Sequence, residues 1–129
     1  MIISGFGLVG GCLSWAGADR VPMVQTELYF GMKGPQGQLI ADSSFRMFVE
    51  EEVSSRFPQG YTLRQAEGQW QMADGMLVSE PSRLLTLVHP RNRFHSLQID
   101  TIANRYCHQF QQEAVMRISR KVHAAFPDG

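Results

Sequence analysis

A carboxylate, a phenol, an imidazole and a guanidinium set around one site can bind a small polar ligand and move a proton on it. Glu27, Tyr29, His89 and Arg117 are the residues of those types that the strand pattern below brings toward one another. Glu27 and Arg117 on neighbouring central strands would meet as a bidentate pair, with Tyr29 and His89 beside them. The plain alternative is a cross-strand ion pair on a partly exposed sheet, which contributes little. Other chemistries find less support. No C-x-x-C or H-x-x-x-H spacing occurs among the two cysteines and four histidines, so neither a structural metal nor a cofactor is expected. Gly5 to Gly10 spell G-x-G-x-x-G with Glu27 downstream, but a dinucleotide site also needs a buried strand, a crossover helix and further parallel units, and Pro22 arrives too soon. Cys107 falls on the apolar stripe of a helix, where a thiol is inert packing.

The elements that must hold these residues follow from periodicity. Val24 to Phe30 alternate as a strand, with Val24, Leu28 and Phe30 on one side and Gln25, Glu27 and Tyr29 on the other. Asp42 is placed to cap a helix running from Ser43 to about Arg56, whose stripe is Phe45, Phe48, Val49 and Val53. Thr62 to Met72 and Met76 to His89 form a hairpin about Asp74-Gly75, and a two-residue turn there sets Gly68 opposite Pro81. Ile99, Ile102, Ala103, Tyr106, Cys107 and Phe110 mark a second helix, from about Ser96 to Gln112, before a last strand that alternates from Ala114 to Val122. The order β-α-β-β-α-β predicts an α+β, ferredoxin-like sandwich, a four-stranded antiparallel sheet with two helices on one face. In that sheet the first strand lies between the third and fourth. Gln25, Glu27 and Tyr29, then Leu85, Leu87 and His89, then Arg117, Ser119 and Lys121 are expected on the face the helices leave uncovered. Its apolar members predict partial cover by a second copy, a ligand or the N-terminal segment.

Twelve Lys and Arg balance twelve Asp and Glu over 129 residues, which gives no electrostatic reason for nucleic-acid or anionic-membrane binding. The balance is uneven along the chain: residues 1–82 hold five basic and nine acidic side chains, residues 83–129 seven and three. RNA-recognition motifs share the element order, but Leu84-Leu85-Thr86-Leu87-Val88 lacks their stacking aromatics.

Met1 to Ala18 carry no charge and suit an export signal better than a membrane span. Val9-Gly10-Gly11-Cys12 is similar to a lipobox, which would make Cys12 the lipid attachment point, while Ala16-Gly17-Ala18 is a competing cleavage pattern. Residues 1–18 are therefore expected to be a leader and residues 19–129 one domain.

Glu27-Leu28-Tyr29-Phe30-Gly31, Phe57-Pro58-Gln59-Gly60-Tyr61-Thr62, Gly68-Gln69-Trp70, Glu80, Tyr106 and Phe110-Gln111-Gln112-Glu113 together resemble a small bacterial family catalogued only as a domain of unknown function. The resemblance runs from about Thr26 to Phe126. It implies an exported or lipoprotein-like protein and supplies no reaction, substrate or catalytic residue. The expectation is a non-enzymatic binding or interaction module of the bacterial envelope, periplasmic or lipid-anchored. Its partners would be a small polar ligand, an envelope protein or a second copy, met on the uncovered sheet face. A small cofactor-independent enzyme of the dimeric α+β kind, with a pocket around Glu27, Tyr29, His89 and Arg117, is the alternative.

Overall fold

The computed structural model describes residues 21–127. Six elements follow in order: β1 (Val21–Gly31), α1 (Asp42–Phe48, continued by a π-helical turn over Val49–Val53), β2 (Thr62–Gln71), β3 (Leu77–His89), α2 (Arg93–Phe110) and β4 (Met116–Ala124). The strands form one antiparallel sheet in the order β2-β3-β1-β4, the ferredoxin-like arrangement. The expected leader and Cys12 lie outside the described residues.

The core forms where alternate residues of β1 meet the stripes of both helices. Leu28 and Phe30 of β1, Leu85 and Leu87 of β3, Phe45, Phe48, Val49 and Val53 of the first helix, and Ile99, Ile102 and Tyr106 of α2 make one buried cluster. Burying a side chain of this size contributes about 1.5–3 kcal/mol, so these rows dictate which way each strand faces. Both predicted helical stripes are buried here, although Ala103, Cys107 and Phe110 are only half-buried.

The ends of the helices differ from expectation. Ala41, not Asp42, occupies the cap position of α1; Asp42 is the first helical residue and pairs with Arg46 (2.7 Å) and Arg83 (3.4 Å). The last turn widens, with Ser54 N–H donating to the Val49 carbonyl at 3.0 Å, a five-residue step. α2 starts three residues earlier than Ser96 because Asn92 caps it, its Oδ1 accepting from His95 N–H at 2.8 Å.

Two registers correct the sequence reading. The hairpin loop has three residues, Ala73-Asp74-Gly75, closed by Met72 N–H to the Met76 carbonyl (2.8 Å) with Gly75 at φ +90°, the left-handed position such a loop requires. The extra residue sets Gly68 opposite Glu80 and Glu67 opposite Pro81. The second correction concerns faces. Leu28 is paired with Leu85 and Arg117, Thr26 with Leu87 and Ser119, and Val24 with His89 and Lys121. Residues directly opposite share a face. Leu85, Leu87, His89, Arg117, Ser119 and Lys121 thus lie on the helix side, and the uncovered face instead carries Gln25, Glu27, Tyr29, Leu84, Thr86, Met116 and Ile118.

Candidate functional site

The row of β1 that faces the helices reads Val24, Thr26, Leu28, Phe30, and Thr26 is the polar member of a buried row. A buried hydroxyl needs partners. Pairing with β4 puts Ser119 beside it, Oγ to Oγ1 at 2.9 Å, and the diagonal neighbour on β3 puts His89 Nε2 at 2.8 Å from the same Oγ1. The other ring nitrogen of His89, Nδ1, lies 2.9 Å from the Pro90 carbonyl oxygen. That oxygen only accepts, so Nδ1 carries the hydrogen and Nε2 of the neutral ring is an acceptor. Thr26 must then donate to Nε2, and with its proton so committed it accepts from Ser119. The chain runs in one direction: Ser119 to Thr26 to His89 to Pro90.

His89 is 4 % exposed. Burial pushes its imidazole below the usual histidine range; the Pro90 carbonyl opposes this, and the nearby charges of His95 and Arg117 add to it. Its flanks are rings. Phe57 stands edge-on at 6.2 Å between centroids, and His95 stacks at 6.0 Å with planes 16° apart. His95 is held by Asn92, Nδ1 to Oδ1 at 2.8 Å, and burial lowers its pKa as well.

Arg117 spans from β4 to the first turns of α2. Its Nη1 donates to Asp100 Oδ1 (2.7 Å) and the Ser96 carbonyl (3.3 Å), Nη2 to Ser96 Oγ (3.3 Å), and Nε reaches Ser119 Oγ (3.5 Å). Between α2's start and β4 lies a cleft of about 270 Å³, lined by His89, Arg91, Ser96, Arg117, Ser119 and Lys121 with Val24, Asn92 and Arg120 around them. Four of the lining residues are cationic and none is acidic, but the Arg120 guanidinium turns to the uncovered face, where Nη2 donates to Gln25 Oε1 at 3.3 Å, which leaves three cationic groups for the cleft. Among the described residues neither the Arg91 nor the Lys121 side chain has a hydrogen-bond or ion-pair partner. A second depression beside Glu52, Arg105 and His108 is different in kind: its cation, Arg105, already pairs with Glu52 at 3.5 Å.

The four residues first considered as one ligand group divide between the two faces. His89 and Arg117 meet at the cleft. Glu27 and Tyr29 sit on the uncovered face, where Tyr29 Oη donates to Glu27 Oε1 (3.4 Å) and Arg64 is the carboxylate's ion-pair partner (3.5 Å). The carboxylate that Arg117 engages is Asp100, from α2. Thr26, Asn92 and Ser96 were not singled out from sequence, and Ser119 was set on the wrong face. For Thr26 a signal existed, a hydroxyl at the parity of Val24, Leu28 and Phe30. Asn92 and Ser96 carry none, since their role depends on where α2 begins. Cys107 is half-buried with its thiol pushed up by burial, which disfavours the nucleophilic thiolate. Among the described residues no group of three His, Cys, Asp or Glu side chains forms a metal site, and no helix is long and apolar enough to cross a membrane.

Comparison with known proteins places this geometry in context. A family model described as protein of unknown function, DUF3574, matches residues 25–126. No curated protein sequence matches the chain. Among solved structures, a phage SAM lyase in complex with S-methyl-5'-thioadenosine is similar with a TM-score of 0.59 and 12 % identity, over 81 % of this chain and 90 % of that one. The phage SAM lyase in its apo state gives 0.56 and 12 %, over 83 % and 90 %. At such identity the likeness is one of fold.

Proposed function

The chain belongs to the DUF3574 family, and we propose that it is a binding module whose ligand, a small polar molecule, sits in the cleft between the start of α2 and β4. The observation that carries this reading is the buried hydroxyl relay that surfaces there: Thr26 and His89 are built into the core, and their chain ends at Ser119 beside Arg91 and Lys121, whose side chains have no partner among the described residues. Buried polar groups are costly unless satisfied, and a core threonine and histidine add nothing to packing that valine and leucine would not. The uncovered face is the weaker candidate for a small ligand, because Glu27 is already engaged by Tyr29 and Arg64. With Met116 and Ile118 about half exposed on it, it better suits a second copy or an envelope protein.

Amide chemical-shift mapping with a panel of neutral and anionic small metabolites tests this. Shifts gathered at residues 89–96 and 117–121, and lost in Ser119→Tyr, are expected; shifts gathered around Glu27 and Tyr29 instead would return the site to the uncovered face. Export belongs to the same reading and rests on residues 1–18. Intact mass of protein made from its native start should show either an acylated chain beginning at Cys12 or a chain beginning at Asp19, and an unprocessed chain removes the envelope from the proposal.

One observation favours a second reading, a small cofactor-independent enzyme. A neutral, buried imidazole connected through one hydroxyl to a solvent-facing one is a proton relay, and His89 would move a proton on a bound substrate by way of Ser119. Turnover found in a substrate screen and lost in Thr26→Val, with binding kept, supports this reading over simple binding.

A further inference from the structure

We infer that the ligand of this cleft is a small oxyanion, a carboxylate, sulfate or phosphate group, and that the Ser119-Thr26-His89 chain admits it most tightly when His89 carries a proton. The inference rests on the cleft being the ligand site and adds the ligand's chemistry and its control.

Charge supplies the first step. Arg91, Arg117 and Lys121 bring their charges to a space of about 270 Å³ with no carboxylate in its lining, while Arg120 turns its guanidinium to Gln25 on the uncovered face. Like charges gathered so closely repel one another, and an anion between them removes that repulsion where a neutral molecule does not. Arg117 is held in place beforehand by Ser96, Ser119 and Asp100, so little side-chain freedom is lost on binding.

The direction of the hydroxyl chain supplies the second. With His89 neutral, the Ser119 hydrogen points inward to Thr26, and Ser119 offers the cleft only lone pairs. Lone pairs repel an oxyanion. When Nε2 gains a hydrogen it becomes a donor to Thr26 Oγ1, and the Thr26 hydrogen must swing to Ser119 Oγ, because two hydrogens cannot point at each other across 2.8 Å. The Ser119 hydrogen is then released toward the cleft, where Ser119 becomes a donor. One proton taken up in the core reverses the polarity of a surface hydroxyl, with no movement of the backbone.

The surroundings of His89 make the two events cooperative. It is faced by Val24 and Thr26 from β1, by Phe57 from the loop before β2, by Asn92 and His95 from α2, and by Arg117, Ser119 and Lys121 from β4, with Arg91 on its own turn. The charges of His95 and Arg117 oppose a proton on His89, and Arg91 and Lys121 line the same cleft. Burial opposes it too. An anion in the cleft offsets the cations, so anion and proton each favour the other by the same factor.

Sulfate is the probe, since it does not titrate between pH 5 and 8. In calorimetric titrations of the full chain, affinity is expected to rise roughly tenfold from pH 8 to pH 5.5, about threefold from the added charge and about threefold from the Ser119 hydrogen bond. By reciprocity, saturating sulfate raises the His89 titration midpoint, read from its ring proton resonances, by about one pH unit. Thr26→Val keeps the side-chain shape and His89 but removes the middle hydroxyl. With no acceptor at position 26 the Ser119 hydrogen is free to face the cleft at every pH, so the variant should bind sulfate more tightly than the unaltered protein at pH 8 and retain only about threefold of the acid gain, the part due to charge alone. Ser119→Ala, at an exposed side chain, should give the same loss and serves if Thr26→Val does not fold. Sulfate binding that ignores pH, or an acid gain kept whole in the folded variants, overturns the relay and leaves the cleft reading intact. Cleft shifts with neutral metabolites but none with sulfate overturn the oxyanion inference alone. No ligand of either kind at the cleft overturns both.

Discussion

The two ends of β1 are built from the same alternating row and do opposite things. At the Gly31 end the row terminates in Phe30, which meets Phe45, Phe48 and Tyr106 edge-to-face at centroid distances of 5.6, 6.2 and 4.6 Å. Its polar groups point inward: Tyr106 Oη donates to the Gly31 carbonyl, and Gln112 Nε2 to the Lys33 carbonyl at 2.7 Å. At the Val24 end rings give way to Thr26 and His89, and the polar chain leads outward to a cationic cleft. Phe30, Gly31, Tyr106, Phe110 and Gln112, through which the sequence resembles its family, all lie at the closed end. Of the other motif residues described, Phe57 reaches the open end, where it covers His89. The recognisable pattern is thus mostly a scaffold pattern, which is why recognising it yielded no site.

If the closed end carries stability and the open end carries binding, the largest effect belongs to Tyr106. The side chain is fully buried in the ring cluster. Tyr106→Ala should cost about 3–5 kcal/mol in urea unfolding, as large aromatic deletions in cores do. Tyr106→Phe, which keeps the ring and leaves the Gly31 carbonyl without its donor, should cost about 1–3 kcal/mol. Ser119→Ala at the other end should change stability by no more than about 0.5 kcal/mol. Equal losses from Tyr106→Ala and Ser119→Ala would break the contrast.

The second test compares the ends through pH. Unfolded, His89 titrates near the ordinary histidine value of about 6.5; folded, burial holds it lower. Between the two values the unfolded chain binds the proton and the folded chain does not, so stability is full above about pH 6.5 and falls as pH drops through that window. Urea midpoints should decline from pH 8 to pH 5 in the unaltered protein. His89→Gln should flatten the decline, leaving the smaller part due to His95, whose pKa is lowered in the same direction. A slope untouched by His89→Gln would mean that the buried imidazole is not the titrating group.

What could be read from the sequence differs between the ends in the same way. The element order, both helical stripes and the two faces of β1 were legible because apolar residues recur there with one period against a polar background. The faces of β3 were not, because Leu84-Leu85-Thr86-Leu87-Val88 is apolar on both sides and period two disappears. The faces of β4 misled for a different reason. Met116 and Ile118 look like core, yet they are 53 % and 45 % exposed on the uncovered side, while Arg117 turns toward α2 and finds Asp100 and Ser96 there. A one-residue shift flips a whole strand, so the cleft was illegible once those two strands were turned. Its pieces come from four elements and a helix cap, and only the register brings them together.

Asn92 offers a smaller effect that links the ends of the comparison to the helix between them. Its side chain caps α2 and also holds His95 against His89. Asn92→Ala should cost about 1 kcal/mol, the usual loss of a cap, and Asn92→Asp, which still caps, should restore it. If the alanine variant leaves the unfolding midpoint unmoved, the start of α2 is held by the Arg117 contacts rather than by its cap.

The smallest effect on stability should come from Asp100, and its sign on binding is what makes it informative. Asp100 and Arg117 are 55 % and 26 % exposed, with 2.7 Å between Oδ1 and Nη1, and pairs of this kind contribute at most about 1 kcal/mol. Asp100→Asn keeps an oxygen for Nη1 to donate to, so the unfolding midpoint should barely move. The negative charge nearest the cleft is nevertheless gone, and the guanidinium it neutralised faces the cleft with its full charge. Sulfate should then bind roughly two- to threefold more tightly at pH 8, with the gain shrinking as salt is added because the interaction is partly exposed. A substitution at the closed end that left stability unchanged would do nothing else; at the open end the same null effect on folding should accompany stronger binding. Unchanged or weaker sulfate affinity in a folded Asp100→Asn protein would show that Arg117 serves α2 rather than the ligand, and the open end would then be scaffold as well.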